Sequence, residues 1–137
     1  MQANGTHLQE LSRGECLRLI ATTAVGRIIY TRQAMPAVEL VNFAVYDGDI
    51  VIRTSSSGKL AMAVSGAVVA FEVDQLNPGD ETGWSVTAIG RSREVTDPAE
   101  VERLRGIGLS TWAPGEREHF IRITPEIVNG RMLRPDD

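Results

Sequence analysis

Arg53 and Lys59 bracket Thr54, Ser55, Ser56, Ser57 and Gly58 in the stretch VIRTSSSGKLAMAVSG, Val51 to Gly66. The β-branched run reads as a strand that delivers Arg53 and Thr54 into a hydroxyl-rich loop, and Lys59 opens a helix that ends on Gly66. Such a corner suits a phosphate group. Helix-start N–H groups and the helix dipole favour an anion, while Lys and Arg supply countercharge. It is not a Walker loop, which needs Gly where Arg53 stands and Ser or Thr where Leu60 stands. The same residues also read as Ser57 capping a solvated helix with Lys59 facing water, and residue types alone do not choose.

Charge-assisted hydrogen bonds contribute roughly 1.5–3 kcal/mol each, so a few of them supply only part of the ~8 kcal/mol of a micromolar ligand. A phosphate clamp therefore needs a second contact surface. A flat aromatic ligand laid along neighbouring strands provides one, which directs attention to PAVELVNF (36–43) and GWSV (83–86). Other chemistry is sparse. His7 reads as part of a tail and His119 stands alone at a strand start, so neither enters a metal or nucleophile constellation. GWSVT lacks the second Gly of a nucleophile elbow, and GIGLST lacks the preceding strand and third Gly of a dinucleotide fingerprint. No catalytic acid or base and no metal site is nominated.

The elements that must carry the corner follow from local signals. Ser12 and Glu15 form a capping-box pattern before CLRLIA, so a short helix starts at Ser12. VGRIIYT from Val25 and the alternating segment Ala37 to Tyr46 read as strands, and Asp47-Gly48 is a hairpin signal leading into IVIRT. AVVAFEVD is a fourth strand, and WSVTAIGRSREVT a fifth, bent at Gly90. Asp97-Pro98-Ala99-Glu100 starts a helix carrying Val101 and Leu104, and HFIRITPEIVNGRML closes the chain as one or two strands with Pro125 forcing an edge or a bulge. About six strands and three short helices, with no long helix between successive strands, predict a mainly β antiparallel barrel rather than a doubly wound sheet. Residues 1–11 read as an N-terminal tail and 12–137 as one domain.

The 137 residues, 42% hydrophobic and 23% charged, suit a globular domain. With 14 Lys and Arg against 18 Asp and Glu, the net charge of -4 argues against nucleic acid as a partner. The single Cys16 allows no intrachain disulfide. No signal-peptide pattern and no apolar run long enough to span a bilayer is present, so the expectation is a cytoplasmic protein without a membrane partner.

The order VGRIIYT...MPAVELVNFAVYDGDIVIRTSSSGKLAMAVSGAVVAFEVD, then TGWSVTAIGRSREVTDPAE and WAPGEREHFIRITPEIVNGR, resembles the pyridoxamine 5'-phosphate oxidase-like family, the FMN-binding split barrels, from Ser12 to about Arg131. The resemblance implies a homodimer of six-stranded split barrels with two flavin sites at the subunit interface. It implies that Arg53, Thr54, Ser55, Ser57, Gly58 and Lys59 hold the phosphate of FMN and that the ring lies against Val41, Asn42 and Phe43. Trp84, Ser85 and Val86 are expected near the ring, and Trp112 either closes the pocket or serves as a partly exposed anchor. The function so implied is an FMN-dependent oxidoreductase acting on a small-molecule substrate, with a nicotinamide electron donor. The alternative is a non-catalytic carrier of a flavin, a deazaflavin coenzyme or haem on the same barrel.

One position departs from the family pattern. The oxidases proper place a basic residue on the second strand to meet the cofactor, whereas this chain has Glu39 there and no Lys or Arg between Met35 and Asp49. Glu39 shares a face with Val41, opposite Val38, Leu40 and Asn42, and alternation alone leaves open which face meets the ligand. The longer C-terminal substrate-binding region of the true oxidases is also missing, so the expected activity is a small-molecule reductase rather than vitamin B6 oxidation.

Overall fold

The computed structural model describes residues 5–54, 58–109 and 118–136. In chain order the elements are β1 (Thr6–Leu11), α1 (Arg13–Ile20), β2 (Val25–Arg32), β3 (Met35–Tyr46), β4 (Asp49–Thr54), α2 (Lys59–Val64), β5 (Val68–Asn77), β6 (Thr82–Val95), α3 (Pro98–Arg105) and β7 (His119–Pro135). The strands run in the order β1-β7-β4-β3-β2-β5-β6, and β6 pairs back onto β7, so β2 to β7 close a six-stranded antiparallel ring. The split lies along β7. One of its edges pairs with β6 along nearly all of that strand, whereas the other is shared, with His119 to Ile123 taken by β4 and Gly130 to Pro135 by β1.

Local chemistry explains most of these boundaries. Ser12 and Glu15 exchange side-chain and backbone hydrogen bonds at the start of α1, and the Ser12 N–H donating to Glu15 holds its carboxyl below the usual carboxylate range. Asp97 caps α3 by accepting from the Glu100 N–H, with Pro98 in the first turn. Asp47 and Gly48 both take positive φ, +55° and +82°, as a two-residue hairpin turn requires. The pairing of β6 with β7 slips between Ile89 and Gly90, opposite Pro125, so the bend and the bulge expected at Gly90 and Pro125 are one feature. A Cβ at Gly90 would overlap the Thr124 carbonyl oxygen, so only glycine fits there.

The expected tail is different over Thr6–Leu11. That segment pairs residue by residue with β7, Asp136 N–H donates to the Gly5 carbonyl at 2.9 Å, and His7 Nδ1 lies 2.8 Å from Asp136 Oδ1. Most of its side chains are exposed, so the strand is held by its backbone ladder and shows no apolar alternation.

The barrel interior holds Ile28, Phe43, Ile52, Phe71, Val86 and Ile121, with Phe43 and Phe71 packed edge to face at 4.8 Å. Cys16 and Ile20 of α1, and Leu60, Ala61 and Val64 of α2, join this core. Burial raises the Cys16 thiol pKa, which suits a packing residue rather than a nucleophile. A second cluster of Val51, Val95, Leu104, Leu109 and Phe120 forms outside the barrel, where α3 and the following residues cover β4 and β7. No helix among the described residues is long and apolar enough to cross a membrane.

Candidate functional site

The corner after β4 is built from three elements. Ile50 and Ile52 point into the barrel, so alternation turns Val51 and Arg53 outward beneath the α3 cluster. Arg53 is engaged there: Nη2 lies 2.8 Å from Glu118 Oε2, Nη1 donates to the Leu109 carbonyl at 2.8 Å, and the guanidinium sits 5.8 Å from the centre of the Phe120 ring. Glu118 also accepts from Arg105. Thr54 faces His119 across the β4–β7 ladder. Gly58, at φ +82°, is the N-cap of α2, and its backbone lies against the His119 ring, where an added Cβ would sit 3.0 Å from Cε1 and Nε2. His119 Nδ1 is 2.7 Å from Glu94 Oε2, while its buried Nε2 has no partner among the described residues. Thus His119 is paired, contrary to its lone reading. The cap of α2 is Gly58, and Ser55 and Ser57 lie outside the described residues, as does Trp112.

Beside this corner, α2 and the adjoining ends of β2 and β3 enclose a cleft of about 630 Å³, within the range of small-molecule sites. Val38, Leu60, Met62 and Ala63 give it apolar walls. Its charges are Lys59, Arg32 and Glu39. Lys59 is exposed and makes no ion pair among the described residues.

Period-two alternation places the polar pair in this cleft. Gly26, Ile28 and Tyr30 of β2 turn inward, as do Val41 and Phe43 of β3, so Glu39 follows Val41 to the inner side at the barrel mouth. The register sets Ile28 opposite Glu39 and Tyr30 opposite Ala37, which makes Tyr30 and Glu39 diagonal neighbours. The Tyr30 hydroxyl donates to Glu39 Oε2. Burial first, and the Glu39 carboxylate second, push the Tyr30 phenol above its usual pKa, so it remains a donor at neutral pH.

The remaining expected site residues fall elsewhere in one copy of the chain. Val41 (8% exposed), Phe43, Trp84 and Val86 belong to the barrel core, which leaves their side chains little surface to offer a ligand. Asn42 lies on the opposite, outer face of β3. Ser85 also points outward, lining a separate polar hollow of about 410 Å³ with Thr87, Asn129 and Arg131. Tyr30, Arg32 and Met62 were absent from the sequence-based set; only the register between β2 and β3 and the path of α2 bring them to Lys59. No cluster of three or more metal-ligating side chains occurs among the described residues.

A model of the pyridoxamine 5'-phosphate oxidase family matches residues 12–132. The chain belongs to that family. Its relatives include an uncharacterized Mycobacterium tuberculosis protein, Rv0080, 41% identical over 132 residues that cover 93% of this chain and 86% of the relative. Among solved structures, the FAD binding protein from Mycobacterium smegmatis is 32% identical with a TM-score of 0.80, over 92% of this chain and 98% of that one. A FAD-binding protein from Mesorhizobium loti, 24% identical with a TM-score of 0.77 over 94% and 98% of the two chains, shares the fold. Within this pyridoxamine 5'-phosphate oxidase family member, the departure at Glu39 faces the cleft, as Val41 alternation allows and Tyr30 enforces.

Proposed function

We propose that the chain is a flavin-dependent oxidoreductase, a reductase of small molecules rather than a vitamin B6 oxidase, that binds FMN or FAD in the cleft between β3 and α2. The observation that carries the reading is the cleft itself: Lys59, without an ion pair among the described residues, and Arg32, hydrogen-bonded to the Tyr30 phenol, stand beside apolar walls of a size that suits a flat ring with an anionic tail. The FAD bound by the Mycobacterium smegmatis relative supports the same cofactor class. These residues fit a flavin. Lys59 and Arg32 supply countercharge for a phosphate, and Val38, Leu60 and Met62 supply contact for a ring. When bound, the flavin supplies the hydride or electron transfer, and the chain contributes grip, orientation and exclusion of water. Glu39 argues against vitamin B6 oxidation, since a carboxylate where the oxidases carry a base repels a phosphorylated substrate.

The proposal includes a homodimer. Leu40 and Val68 are 50% and 57% exposed on the outer face of β3 and β5, an apolar surface of the kind that a second copy covers. Asn42 lies on the same outer face, where pairing would bring it against the partner. A second reading, a flavin carrier without turnover, is favoured by the Mycobacterium smegmatis relative being described as a binding protein.

The test is a titration of the purified protein with FMN and FAD, followed by flavin fluorescence and absorbance, and then by assay with NADH or NADPH and a panel of quinones and nitro compounds. Micromolar binding with steady turnover is expected. A bound but inert flavin supports the carrier instead, and the absence of any flavin binding overturns both.

A further inference from the structure

The Tyr30–Glu39 pair is the feature of the cleft that countercharge for a phosphate does not explain. A carboxylate in a ligand cleft repels an anion, and Tyr30 fixes it there: the residue is 5% exposed and its hydroxyl donates to Oε2. Oε1 has no hydrogen-bond partner among the described residues, so an acceptor remains open on a side chain that lines the cleft. Neither Lys59 nor Arg32 forms an ion pair with Glu39, although all three line the same cleft. Arg32 is hydrogen-bonded to the Tyr30 phenol, so the cleft offers Lys59 for an anionic tail and a held carboxylate for a hydrogen-bond donor.

We infer that Glu39, tethered by Tyr30, accepts the imide N–H of the flavin ring and so fixes which edge of the ring enters the cleft. This rests on the flavin reading above. A planar heterocycle with a ring N–H at one edge and an anionic group on its side chain is the class of ligand whose polarity matches the cleft. A hydrogen bond to an ionised acceptor is about twice as strong as a neutral one, so the carboxylate outweighs an amide in the same place. Tyr30 acts through Glu39 and is a positioning residue.

The experiment compares riboflavin with N3-methylriboflavin, which has the same ring without the imide N–H, by quenching of flavin fluorescence in the full-length protein. The wild type is expected to bind riboflavin at least about ten-fold more tightly than the methylated ring, the effect of one charge-assisted hydrogen bond. Glu39→Ala should abolish that preference, and Glu39→Gln should reduce it. Thermal melts of both variants establish that they are folded, as expected for an exposed side chain. Equal binding of the two rings by the wild type, or a preference that survives Glu39→Ala, overturns the inference while leaving flavin binding intact. Failure of FMN, FAD and riboflavin alike to bind overturns the flavin reading itself. A preference narrowed by Tyr30→Phe supports the tether, and an unchanged one removes Tyr30 from it.

Discussion

Arg53 is held by Glu118 at 2.8 Å on the outer face of the barrel, beneath the cluster that α3 builds. The residue that the sequence offers as a phosphate ligand is thus already neutralised by a carboxylate and tied to the Leu109 carbonyl. Arg53→Met is expected to lower stability by about 1–2 kcal/mol, because the pair is only partly shielded from water. Flavin affinity should change less than three-fold. A double-mutant cycle with Glu118→Gln, read by urea unfolding, measures the coupling. A loss of flavin binding as large as that of Lys59→Ala would return Arg53 to the phosphate site.

Lys59 differs in being exposed and unpaired among the described residues, at the mouth of the cleft. Lys59→Ala should weaken FMN by about 1–3 kcal/mol, the loss of one charge-assisted contact. Riboflavin, which has no phosphate, should bind the variant and the wild type alike. Rising salt should weaken FMN binding to the wild type and leave the variant little affected. Equal losses for both ligands would mean that Lys59 packs against the ring rather than meeting the phosphate.

Glu100 joins α3 to the barrel: it accepts from Arg93 Nη2 at 2.8 Å and from Arg122 Nη1 at 2.9 Å. The hydrogen bond from Arg93 lowers its carboxyl pKa most, with Arg122 adding to the effect and burial opposing it. A carboxylate whose folded pKa is depressed contributes stability that is complete above the unfolded value and is lost as pH falls through the folded one. Denaturant midpoints should therefore fall below about pH 4.3, where the unfolded state takes up the proton first. Glu100→Gln should cost about 2 kcal/mol at pH 7 and flatten that acid limb. An acid limb of unchanged steepness in the variant assigns the loss to other carboxylates.

Gly90 marks the slip between β6 and β7, with no room for a Cβ beside the Thr124 carbonyl. Gly90→Ala must push backbone against backbone, and the expected loss is ~3 kcal/mol. Thermal unfolding measures it. A variant as stable as the wild type would show that the bulge shifts freely along the two strands.

What could be read in advance divides along the range of the interactions. The α1 and α3 caps, the Asp47-Gly48 hairpin and the bend at Gly90 depend on residues a few positions apart, and the chain displays them openly. β1 was not legible, because its exposed side chains carry no alternation and its hold on β7 lies in the backbone. The direction of Arg53 was hidden for another reason. Ile50, Val51 and Ile52 are all buried, since the barrel covers one face of β4 and the α3 cluster the other, so hydrophobicity does not distinguish inside from outside. Tyr30 and Glu39 meet only through a diagonal in the β2–β3 register, which the spacing of two separate strands does not reveal. The His119–Glu94 pair likewise joins residues 25 positions apart.

The outer face of β2, β3 and β5 leads to the last expectation. Ile29 lies opposite both Val38 and Ala70, and Leu40 lies opposite Arg27, which binds Glu72 at 2.9 Å and Asp74 at 3.1 Å. An apolar patch is thus bordered by a charged cluster, the arrangement of an interface centre with its polar rim. Leu40→Glu puts a carboxylate into that centre without disturbing the core, because the side chain is half exposed. If two copies meet here, sedimentation should show a dimer for the wild type and a monomer for the variant, with the monomer's melting temperature dependent no longer on concentration. Flavin affinity should fall with the dimer if the partner supplies part of the site, and stay constant if the β3–α2 cleft binds alone. A wild type that sediments as a monomer at tens of micromolar overturns the dimer, and a Leu40→Glu variant that stays dimeric moves the interface off this face.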